Sequence, residues 1–366
     1  MQYRESIRMT DKFVGKLQDA ESEKLFDARF SYFVNRDKDA FYEQLDEILS
    51  VREQRIGCGW LEQYYERNPS NREAGIVVFG AGEMGKLTCR SLKYINRKID
   101  SICDNNEGLA GSEYRGIPIQ TFEHVCQNFK NDIVIVAVSP QYQIEIYHQL
   151  ISAGFMESNI VMSDFGGGGL YCDIAGQYFD LQAIVPDKEG EYFVDAGCFN
   201  GNTSAQCLTW CAGNLKMVYA FEPDRRNYRV CYNNLSRLGC AFELYESAVW
   251  SGSGTLDFQE DTKAGWGSFV SKGGKIRIEA DSIDNKLNGR KATYIKMDVE
   301  GSELEALKGS IKTIQNYRPK LAISLYHKPE DVIEIPVFLE TLDLGYKYYL
   351  RHYQTRMEET VLYAVP

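Results

Sequence analysis

VDAGCFNGNT (Val194–Thr203) runs apolar, ends the run on an acid and then bends at two glycines. It reads as a strand feeding a turn and a helix. An earlier stretch, VVFGAGEMGK (Val77–Lys86), has the same grammar with a different spacing. There the pattern Gly80-x-Gly82-x-x-Gly85 suits a turn whose backbone amides meet a pyrophosphate at a helix N-terminus. In the later stretch the pattern is Asp195-x-Gly197-x-x-x-Gly201, with a carboxylate at the bend. That charge repels a pyrophosphate and suits an ammonium group. Two turns of different chemistry imply two ligands and two parallel α/β sheets.

The rest of the chain supports this division. Residues 1–73 read as a helical segment and linker; in it, Asp37 is placed to cap a helix whose apolar stripe is Phe41, Leu45, Ile48 and Leu49. Residues 74–165 alternate short apolar runs with helical stretches, which predicts a Rossmann-like parallel sheet covered on both faces. The four glycines of FGGGGLY (Phe165–Tyr171) mark a joint. Residues 166–366 alternate again into seven main strands, with a β-rich insertion near Gly254–Ala280. No helix separates the last two strands, so they are expected to pair antiparallel.

Within this second unit the ends of successive strands address one ligand in order. Asp195 meets an ammonium, Gly197 and Gly201 shape the turn with Asn200 between them, Glu222 accepts the two hydroxyls of a ribose, and Ser247 and Ala248 border an adenine. S-adenosylmethionine carries these parts and no phosphate. VDAGCFNGNT, AFEPDRRNYRVCYNNL, ESAVW and above all IKMDVEGSELEALKG, with the closing RPKLAISLYHK and YYLRHYQTRMEETVLYAV, resemble the FkbM family of S-adenosylmethionine-dependent methyltransferases. The resemblance spans roughly Tyr171 to the end. It implies the seven-stranded class I methyltransferase fold and O-methylation, often of sugars or natural products, and leaves the acceptor unnamed.

The fourth strand ends Lys296-Met-Asp298-Val-Glu300. If it stays extended, the three polar side chains share a face, and Asp298 or Glu300 sits where a general base or an acceptor ligand belongs. The alternatives are that these acids orient the loop, pair with Lys296, or hold a metal; nothing at obvious spacing completes a metal site, and none is assigned. His327 ends the next strand and is a third candidate base, while Tyr326 should face the other way. Ser302 and Glu305 match a capping box. Trp266 and Ser268 lie in a glycine-flanked loop that could form a flap.

In the first unit, Gly80, Gly82, Gly85 and, about twenty residues on, Asp104 match a dinucleotide site by spacing. NAD or a sugar nucleotide is the expected ligand; the stretch resembles small nucleotide-binding domains attached to bacterial sugar-modifying enzymes. The net charge of −11, without any Lys/Arg-rich run, argues against nucleic acid or an anionic membrane as partner. Neither a secretory leader nor an apolar run of about 18 residues is visible, and the ten cysteines form no Cys-x-x-Cys pair, which fits a cytoplasmic protein with reduced core thiols. A homo-oligomer is compatible with all of this. The competing readings are a nucleotide-sensing scaffold with an inactive methyltransferase fold, and an NAD-dependent oxidoreductase acting on a sugar nucleotide.

Overall fold

A computed structural model describes residues 2–50, 56–57, 59–162, 173–174, 176–259, 269–270, 274 and 276–366. The glycine joint Phe165–Tyr171 and the loop residues Trp266 and Ser268 lie outside these residues. The chain divides into two compact units: Ser50–Ala175 with Gln354–Arg356, and Met1–Leu49 with Gly176–Tyr353 and Met357–Pro366. No helix among the described residues is long and apolar enough to cross a membrane.

Three helices open the chain: α1 (Gln2–Val14), α2 (Ala20–Asn35) and α3 (Lys38–Ser50). Asp37 Oδ1 accepts the Ala40 amide at 3.0 Å, which starts α3, and Phe41, Leu45, Ile48 and Leu49 are buried. These helices group with the C-terminal unit. The Arg351 guanidinium holds Asp19 at 2.6 Å. The Arg29 guanidinium is buried, lies 4.6 Å from the Phe41 ring centroid and donates to Thr360 Oγ1.

The unit from Ser50 holds strands β1 (Ile76–Phe79), β2 (Ser101–Cys103), β3 (Glu113–Tyr114), β4 (Ile117–Gln120), β5 (Ile133–Val136) and β6 (Ile160–Met162) in the order β3-β4-β2-β1-β5-β6. All neighbours are parallel except β3 and β4. The hairpin strand β3 has no apolar alternation to reveal it; its two-residue turn is Arg115-Gly116, both at positive φ, as a primed hairpin turn requires. The central strands β1 and β5 are buried throughout, as continuous apolar runs covered on both faces should be. Helices α4 (Gly59–Arg67), α5 (Glu83–Tyr94), α6 (Phe122–Asn128) and α7 (Pro140–Ser152) complete the unit.

The C-terminal unit is built on β7 (Glu191–Ala196), β8 (Leu215–Phe221), β9 (Ala241–Tyr245), a four-stranded insertion of β10 (Ala248–Val249), β11 (Gly254–Gln259), β12 (Phe269–Val270) and β13 (Ile276–Asp281), then β14 (Tyr294–Met297), β15 (Lys320–Ser324), β16 (Lys347–His352) and β17 (Thr360–Val365). The main sheet runs β9-β8-β7-β14-β15-β17-β16. Only β17 is antiparallel to its neighbours. This is the class I methyltransferase sheet. Helix α8 (Asn202–Trp210) follows β7, and α9 (Arg225–Leu235) follows β8, its start capped by Asp224 accepting the Arg226 amide at 2.8 Å.

At the centre of the sheet, β7 and β14 place Asp195 opposite Lys296 in register. Both are buried, and Lys296 Nζ lies 3.3 Å from Asp195 Oδ1. The ammonium also donates to the Gly197 carbonyl at 2.6 Å, and Asp195 Oδ2 accepts from Ser204 Oγ at 2.7 Å. Burial works against the lysine's charge, but Asp195 and Asp298 raise its pKa above the ordinary value. Gly197, at φ +75°, is required by the neighbouring strand: a Cβ there would stand 1.9 Å from the Asp298 carbonyl oxygen. Lys296→Met takes the cation from the Asp195 carboxyl, whose pKa burial already raises, and is expected to remove about 3–5 kcal/mol of protection from the β7 and β14 amides in native-state hydrogen exchange. Asp195→Asn combined with Lys296→Met should recover most of that loss, and unchanged protection in the single variant would show that the pair carries no such weight.

Candidate active site

A cavity of about 410 Å3 lies where the main sheet's parallel strands end. Its wall follows the strand order: Ser247 after β9, Glu222 after β8, Gly197 to Asn200 after β7, Asp298 and Glu300 after β14, Tyr326 after β15, and Glu359 just before β17. Ligands of open α/β sheets bind outside these strand ends.

The β8–β9 part is made of an acid and an unpaired hydroxyl. Glu222 Oε2 accepts the Phe199 amide at 2.9 Å and Oε1 accepts the Asp224 amide at 2.8 Å, so the carboxylate ties two loops together. Each oxygen keeps a further acceptor position. Burial pushes this carboxyl up to about 7. Ser247 Oγ is buried without a hydrogen-bond partner, a cost that a polar ligand edge would relieve. Ala248, Val249 and Phe258 supply apolar wall beside it. These residues fit S-adenosylmethionine: Glu222 would take the ribose hydroxyls, and Ser247 with Ala248 would border the base.

The acid at the bend has a different role from the one its position suggests. Asp195 does not line the cavity. Behind the turn it is partnered by Lys296 at 3.3 Å and by Ser204 at 2.7 Å. Gly201 is likewise outside the lining; at φ +82° it is the N-cap of α8. Asn200 lines the cavity and shapes the turn, with Oδ1 accepting the Asn202 amide at 3.0 Å.

Strand β14 stops at Met297, so the expected alternation Lys296, Asp298, Glu300 is broken, and Glu300 sits at φ +52° in the turn that follows. Asp298 Oδ2 accepts from Tyr178 OH at 2.9 Å and Oδ1 from Tyr326 OH at 3.2 Å. Burial works against its charge, but Lys296 and His327 hold its pKa below the usual value. Tyr326 was expected to face away; β15 ends at Ser324, and the chain beyond it turns the phenol into the cavity.

His327 is surrounded by acids. Its Nδ1 lies 3.0 Å from Glu303 Oε1, and its Nε2 lies 3.4 Å from Glu300 Oε2 and 3.7 Å from Asp298 Oδ1. Burial opposes protonation, but Glu300 and Glu303 more than reverse it and raise the imidazole pKa to about 11. A raised pKa favours the imidazolium at neutral pH, which argues against His327 as the general base. Asp298, Glu303 and His327 form the one group among the described residues compact enough to hold a metal ion. We assign no metal to it. Glu303 escaped sequence reading because the Ser302–Glu305 spacing drew attention instead. Ser302 makes no side-chain cap bond and Glu305 pairs with Lys308, whereas the buried Glu303 Oε1 accepts the Val299 amide at 2.9 Å and closes the turn.

In the other unit, Gly80, Gly82 and Asp104 line a separate cavity of about 550 Å3 at the start of α5. Asp104 Oδ2 accepts the Ala81 amide and Oδ1 the Asn106 amide, each at 2.8 Å. Gly85 does not line this cavity; a Cβ at that position would stand 1.7 Å from the Gly80 carbonyl oxygen, so it serves helix–strand packing.

Comparison with known proteins agrees with both units. Residues 195–348 match the methyltransferase FkbM domain, and residues 71–161 match the CoA binding domain. The hexuronic acid methyltransferase AglP of Haloferax volcanii is 27% identical over 149 residues, 39% of this chain and 60% of that protein's length. A methyltransferase FkbM from Methylobacillus flagellatus KT aligns over 89% of this chain and 98% of its own at 17% identity and a TM-score of 0.48. Aeropyrum pernix fibrillarin, solved with natively bound S-adenosyl-L-methionine, aligns over 50% and 69% at 14% identity and a TM-score of 0.32. The chain thus carries a methyltransferase FkbM domain at residues 195–348, with a CoA binding domain ahead of it at residues 71–161.

Proposed function

We propose that this protein transfers the methyl group of S-adenosylmethionine to an oxygen of a saccharide, a sugar acid being the first acceptor to try. The observation that carries the reading is a single cavity in which Glu222 and the unpartnered Ser247 line the β8–β9 side, while Asp298, Tyr326 and Glu359 line the β14–β17 side. The sugar class is supported by the 27% identity to a hexuronic acid methyltransferase and by acids and phenols that suit hydroxyl groups.

When bound, S-adenosylmethionine supplies a methyl on a sulfonium, a leaving group that needs alignment more than activation; alignment alone can be worth about 7–11 kcal/mol. Glu222 holds one end of the donor. Asp298, kept ionised and fixed by two phenols, accepts a hydrogen bond from a hydroxyl neighbouring the one to be methylated and so orients the sugar. His327, locked between Glu300 and Glu303, keeps the turn carrying these acids in place. For the CoA-binding domain we propose a nucleotide ligand, NAD or a sugar nucleotide, at the Gly80–Gly82 turn. No histidine or lysine lines that cavity among the described residues, which favours binding over hydride transfer.

Incubation with methyl-tritiated S-adenosylmethionine and a panel of hexuronides and neutral glycosides should give labelled acceptor and an equal amount of S-adenosylhomocysteine. Protein that binds the donor and labels none of them would contradict the acceptor class. In nitrogen-15 NMR, the His327 imidazole should remain doubly protonated from pH 6 to about 9, because a histidine with a raised pKa loses its proton only near the raised value, about 11. Its stabilising charge is complete below about 6.5 and is lost as pH rises through about 11. A titration near 6.5 would overturn the imidazolium assignment.

A further inference from the structure

Glu359 was not visible as a site residue in the sequence, where Met357-Glu-Glu-Thr reads as the approach to the last strand. The structure puts it in the cavity wall with Asp298 and Tyr326. Its backbone sits at φ +69°, an uncommon conformation for a residue with a Cβ and one that concentrates at functional sites. Its side chain reaches two donors: Gln177 Nε2 at 2.5 Å from Oε2, and Tyr326 OH at 3.4 Å from Oε1.

The tyrosine decides how the two acids differ. Tyr326 OH lies 3.2 Å from Asp298 Oδ1 and 3.4 Å from Glu359 Oε1, and a phenol has one proton to donate. Asp298 has a second phenol, Tyr178, at 2.9 Å, and two cations, Lys296 and His327, that favour its charge. Glu359 has the weaker share. A proton given to Asp298 leaves Oε1 of Glu359 as an acceptor open to the cavity. Asp298 is too well stabilised to be a good base, and Glu300 faces the His327 cation at 3.4 Å.

Resting on the methyl-transfer reading above, we propose that Glu359 is the general base of the reaction. The acceptor hydroxyl gives its proton to Oε1 of Glu359 as its oxygen forms the new bond to the methyl carbon. The carbon–sulfur pair departs with sulfur, leaving S-adenosylhomocysteine, methyl ether and protonated Glu359, which returns its proton to water after product leaves. The electrostatic surroundings agree. Burial, with the negative charge of Asp298, raises the Glu359 carboxyl to about 7, and Glu358 adds to the rise while Gln177 and His327 oppose it. Arg29, from α2, has its charge set against Glu358 and Tyr326. A base near the operating pH is the efficient one.

Glu359→Gln tests this. We expect kcat for the acceptor found in the tritium assay to fall about 10²–10⁴-fold, with KM and S-adenosylhomocysteine affinity within about threefold of the parent. In the parent, kcat should rise with pH through about 7, since protonated Glu359 is inactive below it; that inflection should vanish in the variant. Gln177→Met removes a hydrogen bond that favours the carboxylate and should move the inflection to higher pH, a shift that a merely structural role would not produce. Carbon-13 NMR of protein labelled at the glutamate carboxyl gives a readout without any acceptor: the signal missing from Glu359→Gln should titrate near neutrality. A parent-like kcat in Glu359→Gln, an unmoved inflection in Gln177→Met, or a Glu359 signal titrating in the ordinary glutamate range would each overturn the assignment. Parent protein that binds the donor and methylates nothing would instead count against methyl transfer, with the carboxyl titration still deciding Glu359.

Discussion

A lysine and an aspartate, both buried, face each other across the two central strands of the C-terminal sheet. The price of burying both charges is high unless each is fully met. Here the lysine is met by Asp195, by the Gly197 carbonyl and, at longer range, by Asp298. One ammonium thereby ties the glycine turn after β7 to the acid turn after β14. These are the two turns that meet in the cavity. Gly197 tightens the same junction, because only a residue without a Cβ can pass the Asp298 carbonyl. The site is thus held from the middle outward, with Glu222 fastening the β8 side and Glu303 the β14 side.

From that junction the acids take different tasks through their surroundings alone. Glu222 and Glu359 are pushed towards neutrality by burial, Asp298 is kept charged by cations and phenols, and Glu303 is spent on closing a turn and flanking His327. Environments that separate like groups in this way assign acid and base roles in many enzymes.

The strand-to-helix alternation, the glycine turns and two of the helix caps were legible because each is a local pattern, whereas the Ser302–Glu305 capping box is not formed. Asp224 and Asp37 cap the helices their positions announced, and the helix-free link between the last two strands predicted their antiparallel pairing. What the sequence could not convey was direction beyond a strand's end. Alternation holds only while the backbone is extended, so Tyr326 and Glu300, two and three residues past the strand ends at Ser324 and Met297, went elsewhere. Asp195 illustrates another limit. Its distance from the glycines is written in the chain, but its partner Lys296 lies about a hundred residues on and becomes a neighbour only through the strand order. Glu359 depended on a positive φ that no pattern around it signals.

The central claim is that the donor lies against Glu222, with Asp195 behind the turn. Calorimetric titration with S-adenosylhomocysteine on the parent and on Glu222→Ala tests it most directly. Losing hydrogen bonds to a charged group, about 1.5–3 kcal/mol, predicts affinity weakened by roughly ten- to hundredfold with the fold intact. Equal affinity in the two proteins would contradict the account.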